Sequence, residues 1–184
     1  MALILDGTTG IVANNIAANT ITSTQIASGS KMAIGNMPTG SVLQVIQATT
    51  ATGVTNTSTS TWANTTLSAS ITPSYSNSKI FVLIMQEVQV WNSSPYATGM
   101  WRLLRGGTTI YTPSSTDNGN IFAYDYGGSG INVYRPTPIM WLDSPSTTSS
   151  TTYYTQIKVG TNGGVLIGTN SNSPGSITLM EIVG

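Results

Sequence analysis

Residues Lys79–Trp91, KIFVLIMQEVQVW, carry the strongest structural signal in the chain. Six apolar residues run from Ile80 to Met85, and polar and apolar residues then alternate through Glu87, Val88, Gln89 and Val90 to Trp91. The first half predicts a strand covered on both faces, and the second the same strand emerging with one face in water. β-Branched and aromatic residues dominate, and Asn92-Ser93-Ser94-Pro95 cuts the run short, which disfavours a helix. The stretch is expected to be the central strand of a sandwich, and its residues core rather than catalytic.

At 184 residues the chain is long enough for one domain that buries roughly 70% of its unfolded surface, with some chain left for an appendage. Charged residues make up 7% of it, six basic against six acidic. That balance argues against nucleic acid as a partner, because a polyphosphate demands clustered Lys and Arg. A surface so poor in charge also tends to associate. Ser, Thr, Asn and Gly take the place of charge and suit close packing in an assembly. The sequence contains no Cys and no His, so disulfides, thiolate chemistry and the commonest general base and metal ligand are excluded. Met1-Ala2-Leu3-Ile4-Leu5 is too short, and lacks the basic flank, for a secretory signal. No apolar run approaches the ~20 residues of a membrane helix, so no membrane insertion is expected.

Residues Met1–Asn36 differ in pattern from the rest of the chain and, with a linker, make up an extended N-terminal segment, residues 1–40. Ile11, Ile16, Ile21 and Ile26 recur at every fifth position among Ala, Asn, Thr, Ser and Gln. Five residues advance a helix by about 500°, and an odd spacing sends successive side chains to opposite faces of a strand, so neither element gathers these isoleucines into one stripe. They fit an extended segment whose anchors each enter a pocket on another chain, with burial contributing ~1.5–3 kcal/mol apiece. The competing reading is a disordered tail with a coincidental period. A linker, Met32–Gly40, leads to the body.

The body, residues 41–184, reads as successive short strands: Ser41–Gln47, Trp62–Thr72, Lys79–Trp91, Ala97–Arg105, Thr108–Tyr111, Asn120–Tyr126, Asn132–Leu142, Thr151–Val159, Val165–Gly168 and Ser176–Val183. Gly106-Gly107 predicts a hairpin turn. Pro136 and Pro138 predict an edge strand or a bulge. The expected fold is all-β, an antiparallel β-sandwich of jelly-roll type, with a closed barrel as the alternative.

MALILDGTTGI followed by the five-residue isoleucine period resembles the N-terminal part of bacteriophage tail-fibre and virion appendage proteins. The block Trp141-Leu142-Asp143-Ser144-Pro145, a Ser/Thr run, and TTYYTQIKV at Thr151–Val159 is similar to the late strands of their globular heads, and Ser176–Ile182 is similar to endings of phage structural proteins. The resemblance implies a homotrimer located in the virion, with residues 1–40 docking to other virion proteins and the head pointing outward. The chain departs from a typical tail fibre in lacking a long shaft, which favours a short fibre, a fibre tip or a head-surface decoration.

Two sets of residues are candidate sites. Tyr124, Asp125 and Tyr126, with Tyr134 and Arg135, place aromatic faces beside an acid and a base in loop-rich sequence, a pattern suited to contact with a host-surface glycan. Trp91, Trp101, Glu87 and Arg102 are candidates for a subunit interface; Trp62 and Trp141 share the core-or-interface reading of the other tryptophans. Arg102 and Arg105 stand three apart and so lie on opposite faces of a strand; the inward one requires a partner, for which Glu87 is the candidate. A glycosidase-like pair would need two of Asp6, Glu87, Asp117, Asp125, Asp143 and Glu181 across a cleft. Asp117 and Asp125 are the best placed, yet Asp117-Asn118-Gly119 and Asp143-Ser144-Pro145 are ordinary turn chemistry. No catalytic residue, metal site or cofactor is therefore expected. The function expected is that of a short fibre or tail-tip protein, with a capsid decoration protein as the alternative and a polysaccharide-degrading enzyme behind both.

Overall fold

The computed structural model describes residues 37–94, 96–112, 121–124, 130–160, 165–167 and 173–184. The chain divides into two units, Met1–Met37 and Pro38–Gly184, and the strands described all belong to the second. Ile11, Ile16, Ile21 and Ile26 lie outside the described residues.

The described residues form strands β1 (Val42–Thr50), β2 (Thr55–Asn56), β3 (Ala63–Ile71), β4 (Lys79–Asn92), β5 (Tyr96–Arg105), β6 (Thr108–Tyr111), β7 (Ile121–Tyr124), β8 (Ile131–Asp143), β9 (Thr151–Val159), β10 (Val165–Ile167) and β11 (Gly175–Ile182). They make two antiparallel sheets, with no helix among the described residues. In sheet 1, β4 is central: β11 pairs with its first half, β10 with its second half, and β8 runs along its other edge from Ile80↔Asp143 to Asn92↔Ile131. Strand β1 lies outside β11, and β2 outside β10. In sheet 2, β9 lies between β3 and β5, and β6 and β7 pair with β5.

The two sheets enclose one core. Ile80, Val82, Ile84, Val88 and Val90 of β4 and Ile177 and Leu179 of β11 face Leu67, Ile71, Leu103, Tyr153 and Ile157 of sheet 2, and all are buried. The alternation of apolar and polar residues along β4 therefore has its expected meaning: even-numbered residues face the core. A polar link crosses this core at mid-height. Thr155 Oγ1 donates to Gln86 Oε1 at 2.8 Å, and the Thr155 and Thr65 hydroxyls are 2.6 Å apart. Paired in this way, a buried amide and two hydroxyls avoid the penalty of unsatisfied polar atoms.

The turns behave as their residues dictate. Gly106 and Gly107, at φ of 53° and 94°, occupy the left-handed region between β5 and β6, which a side chain would strain. Strand β8 has β4 as its neighbour and is an edge among the described residues. Pro136 and Pro138 sit two apart on it, so their missing N–H groups fall on the same, unpaired side. The expected cover on both faces of Ile80–Met85 is not found among the described residues. Phe81 and Leu83 are only partly buried and Met85 is 51% exposed. The outer face of β4 has no second layer from the described chain, so its apolar run reflects something other than coverage by its own sandwich.

Candidate functional site

The paired registers assign each face of each sheet. On the outer face of sheet 1, Val45, Met180, Phe81 and Leu142 form one row straight across β1, β11, β4 and β8. The next row is Gln47, Thr178, Leu83 and Met140, and the next Thr49, Ser176, Met85 and Pro138. Met140 is 68% exposed, Val45 54%, Leu142 51% and Met85 51%. Further along, Glu87, Gln89 and Trp91 continue the face on β4, opposite Pro136, Tyr134 and Asn132 on β8. Where β1, β11, β4 and β8 run side by side, four strands ~4.8 Å apart and about seven residue steps of ~3.3 Å give a face of about 19 by 23 Å, or roughly 440 Å² in projection. That is about the size of the largest apolar patch a soluble monomer usually shows, and β4 and β8 extend the face through Glu87, Gln89 and Trp91.

The outer face of sheet 2 has a different character. Asn64, Gln156 and Arg102 lie abreast on β3, β9 and β5. Gln156 Nε2 donates to Asn64 Oδ1 at 2.7 Å, and Arg102 Nε and Nη2 donate to Gln156 Oε1 at 2.8 and 2.6 Å. Trp62, just before β3, lies over this row: the Arg102 guanidinium carbon is 4.2 Å from its ring centroid, and Lys158 Nζ 5.4 Å. Burial lowers the pKa of Arg102, opposed by the neighbouring Tyr154 hydroxyl.

The acids of the described residues lie on sheet 1. Asp143 and Glu181 flank Ile80 on the inner face, one strand to either side. Carboxylates abreast at such spacing invite comparison with a glycosidase pair, but each is occupied. Arg105 Nη1 donates to Asp143 Oδ1 and Oδ2 at 2.9 and 2.8 Å, and the fully buried Tyr153 hydroxyl donates to Oδ2 at 2.7 Å. Arg105 is on β5 and Tyr153 on β9, so the cluster joins the two sheets. Burial, with the Asp143 hydrogen bond and charge, raises the Tyr153 pKa far above the ordinary phenol value, which keeps this hydroxyl a donor. Glu181 has no solvent exposure and accepts from Gln44 Nε2, the Ser74 amide, Ser74 Oγ and Ser78 Oγ at 2.6, 2.6, 3.1 and 2.7 Å. Burial, the largest influence, acts to raise its pKa, but the hydrogen bonds from Gln44, Ser78 and Ser74 together outweigh it and hold the carboxyl below its usual range. Among the described residues no group of three or more acids is placed to hold a metal ion.

The residues singled out in the sequence are thus distributed over both sheets. Trp91 and Glu87 share the outer face of sheet 1, Trp91 with 42% exposure. Trp101 is buried in the chain's own core, 6.0 Å from Tyr111, which in turn lies 5.0 Å from Trp141. Arg102 belongs to sheet 2, across the sandwich from Glu87. The arginine that needs an internal partner is Arg105, and that partner is Asp143 rather than Glu87. Tyr134 and Arg135, adjacent on β8, point to opposite sides of the strand, so they do not form one contact surface. The Tyr124 backbone pairs with Tyr96, while Asp125 and Tyr126 lie outside the described residues. The grouping missed in the sequence is Trp62 with Arg102 and Lys158, which are distant in the chain and meet only through the β3–β9–β5 register.

No family model matches the chain, and no curated protein matches it significantly.

Proposed function

We propose that this chain is a non-enzymatic structural protein of a bacteriophage particle, a homotrimeric short fibre or tail-tip protein. Residues 1–40 anchor it to other virion proteins, and the β-rich body, a sandwich of jelly-roll type, forms a head suited to host-surface attachment. The observation that carries this reading is the outer face of sheet 1. Its Val45, Met85, Met140 and Leu142 are each more than half exposed in a single chain, in a protein with little charge to keep copies apart. Covering that face with like copies accounts for the apolar run Ile80–Met85, which the fold of one chain leaves half explained. Trimerisation then multiplies weak contacts, because linked heads raise effective concentration at a surface. Among the described acids, Asp143 and Glu181 are each held in structural hydrogen bonds.

Location is tested by immunogold labelling of particles. Label at the tail and inhibition of infection by added purified protein are expected. Label on the head without inhibition would instead establish the decoration role, and release of reducing sugar from host polysaccharide would overturn the non-enzymatic reading.

A further inference from the structure

We propose that the outer face of sheet 2 binds an acidic polysaccharide through Trp62, Arg102 and Lys158. The inference rests on the attachment role above and names a ligand class for it. A guanidinium stacked on an indole is common packing. The β3–β9 register, Ala63↔Ile157 and Asn64↔Gln156, sets Lys158 across from Trp62, so a second cation shares the ring. Both charges lie within 4.2 and 5.4 Å of one centroid, so they are at most about 10 Å apart, near the ~8 Å screening length of physiological salt. No acid offsets them among the described residues: Glu87, Asp143 and Glu181 are all on sheet 1, and Asp143 is held by Arg105. Burial of Arg102 without a counter-charge disfavours its charged state, a cost that a bound anion would relieve.

The surroundings point to a sugar acid. Gln156 and Asn64 continue the row as amides, whose donors and acceptors suit ring hydroxyls, and Trp62 supplies apolar surface beside them. Gln156 Oε1 fixes one edge of the Arg102 guanidinium and leaves Nη1 for a carboxylate. A nucleic acid would need a longer basic track than two charges provide. The site also lies on the opposite side of the sandwich from the apolar face of sheet 1, with its β5 neighbours Met100 and Leu104 buried beside it.

The test uses the full chain with immobilised polygalacturonate, neutral dextran and a poly-dT oligonucleotide, at about 150 mM salt. Binding to polygalacturonate, none to dextran, and at least about tenfold weaker binding by Arg102→Gln/Lys158→Gln are expected. The charge-conserving pair Arg102→Lys/Lys158→Arg should retain part of the affinity, and Lys158→Gln alone should weaken it in a protein whose melting is unchanged. Unaltered affinity in Lys158→Gln and the double variant, equal binding to dextran, or tighter binding to poly-dT would overturn the proposal. The native mass of the same samples separates the two ideas. A trimer that ignores polygalacturonate removes this site and leaves the assembly reading, whereas a single subunit that binds it retains the site and removes that reading.

Discussion

Glu181 shows how a single carboxylate can hold a loop. It joins β11 to β1 through Gln44 and to the segment between β3 and β4 through Ser74 and Ser78. Because its folded pKa lies below the unfolded value of about 4.3, its contribution is fully present above that pH and is lost as pH falls through the folded value. Glu181→Gln should lower stability by about 1.5–3 kcal/mol at pH 7, with the gap from wild type narrowing below about pH 4; urea denaturation from pH 3 to 7 measures both. The Asp143 cluster predicts a second result. A double-mutant cycle on Arg105 and Asp143 should give coupling of about 1–3 kcal/mol, since both groups are largely desolvated and Tyr153 shares the same carboxylate. The corresponding cycle on Glu87 and Arg105 should give none within ~0.5 kcal/mol. The partner of Arg105 is not legible in the sequence. Strand parity shows that one of Arg102 and Arg105 needs a partner, but which acid meets it depends on β8 and β5 converging at one end of the sandwich.

The most legible element is β4. Its alternation marks the inward face, and the prolines of β8 mark the edge beside it. Ile84→Ala, at a site with no exposure, should cost about 2–5 kcal/mol, and Gly107→Ala about 1–2 kcal/mol through its positive φ; thermal or urea unfolding reads both. The kind of cover on the other face is beyond the reach of sequence. Six consecutive apolar residues look the same whether their own chain or a partner covers them, so the run Ile80–Met85 suggests a sandwich layer that the described residues do not supply. Strand β2 escapes for another reason. Thr55–Asn56 sits in Thr/Ser-rich sequence and has no strand pattern; it is held by Asn56 Nδ2, which donates to the carbonyls of Ile157 and Thr61. The Trp62 site is hidden in the same way, since its parts meet only when three strands of sheet 2 are in register.

At the scale of the whole molecule, the two outer faces divide the labour. The outer face of sheet 1 carries exposed Val, Met and Leu side chains that no described residue covers, while sheet 2 bears amides, an indole and two cations beside the buried Met100 and Leu104. A chain with so few charges has little to oppose self-association, and under the proposed function the apolar face closes on other copies while sheet 2 meets the host surface. Met140 and Leu142 are on the edge strand β8 with most of their side chains in water, and replacing them with acids should disturb assembly without unfolding the sandwich. The most direct test is the native mass of the full chain beside that of Met140→Glu/Leu142→Glu. Three subunits are expected for the wild type and one for the variant, with the variant's strand content retained. A wild type of one subunit, or a variant that keeps the mass of three, would contradict assembly through this face.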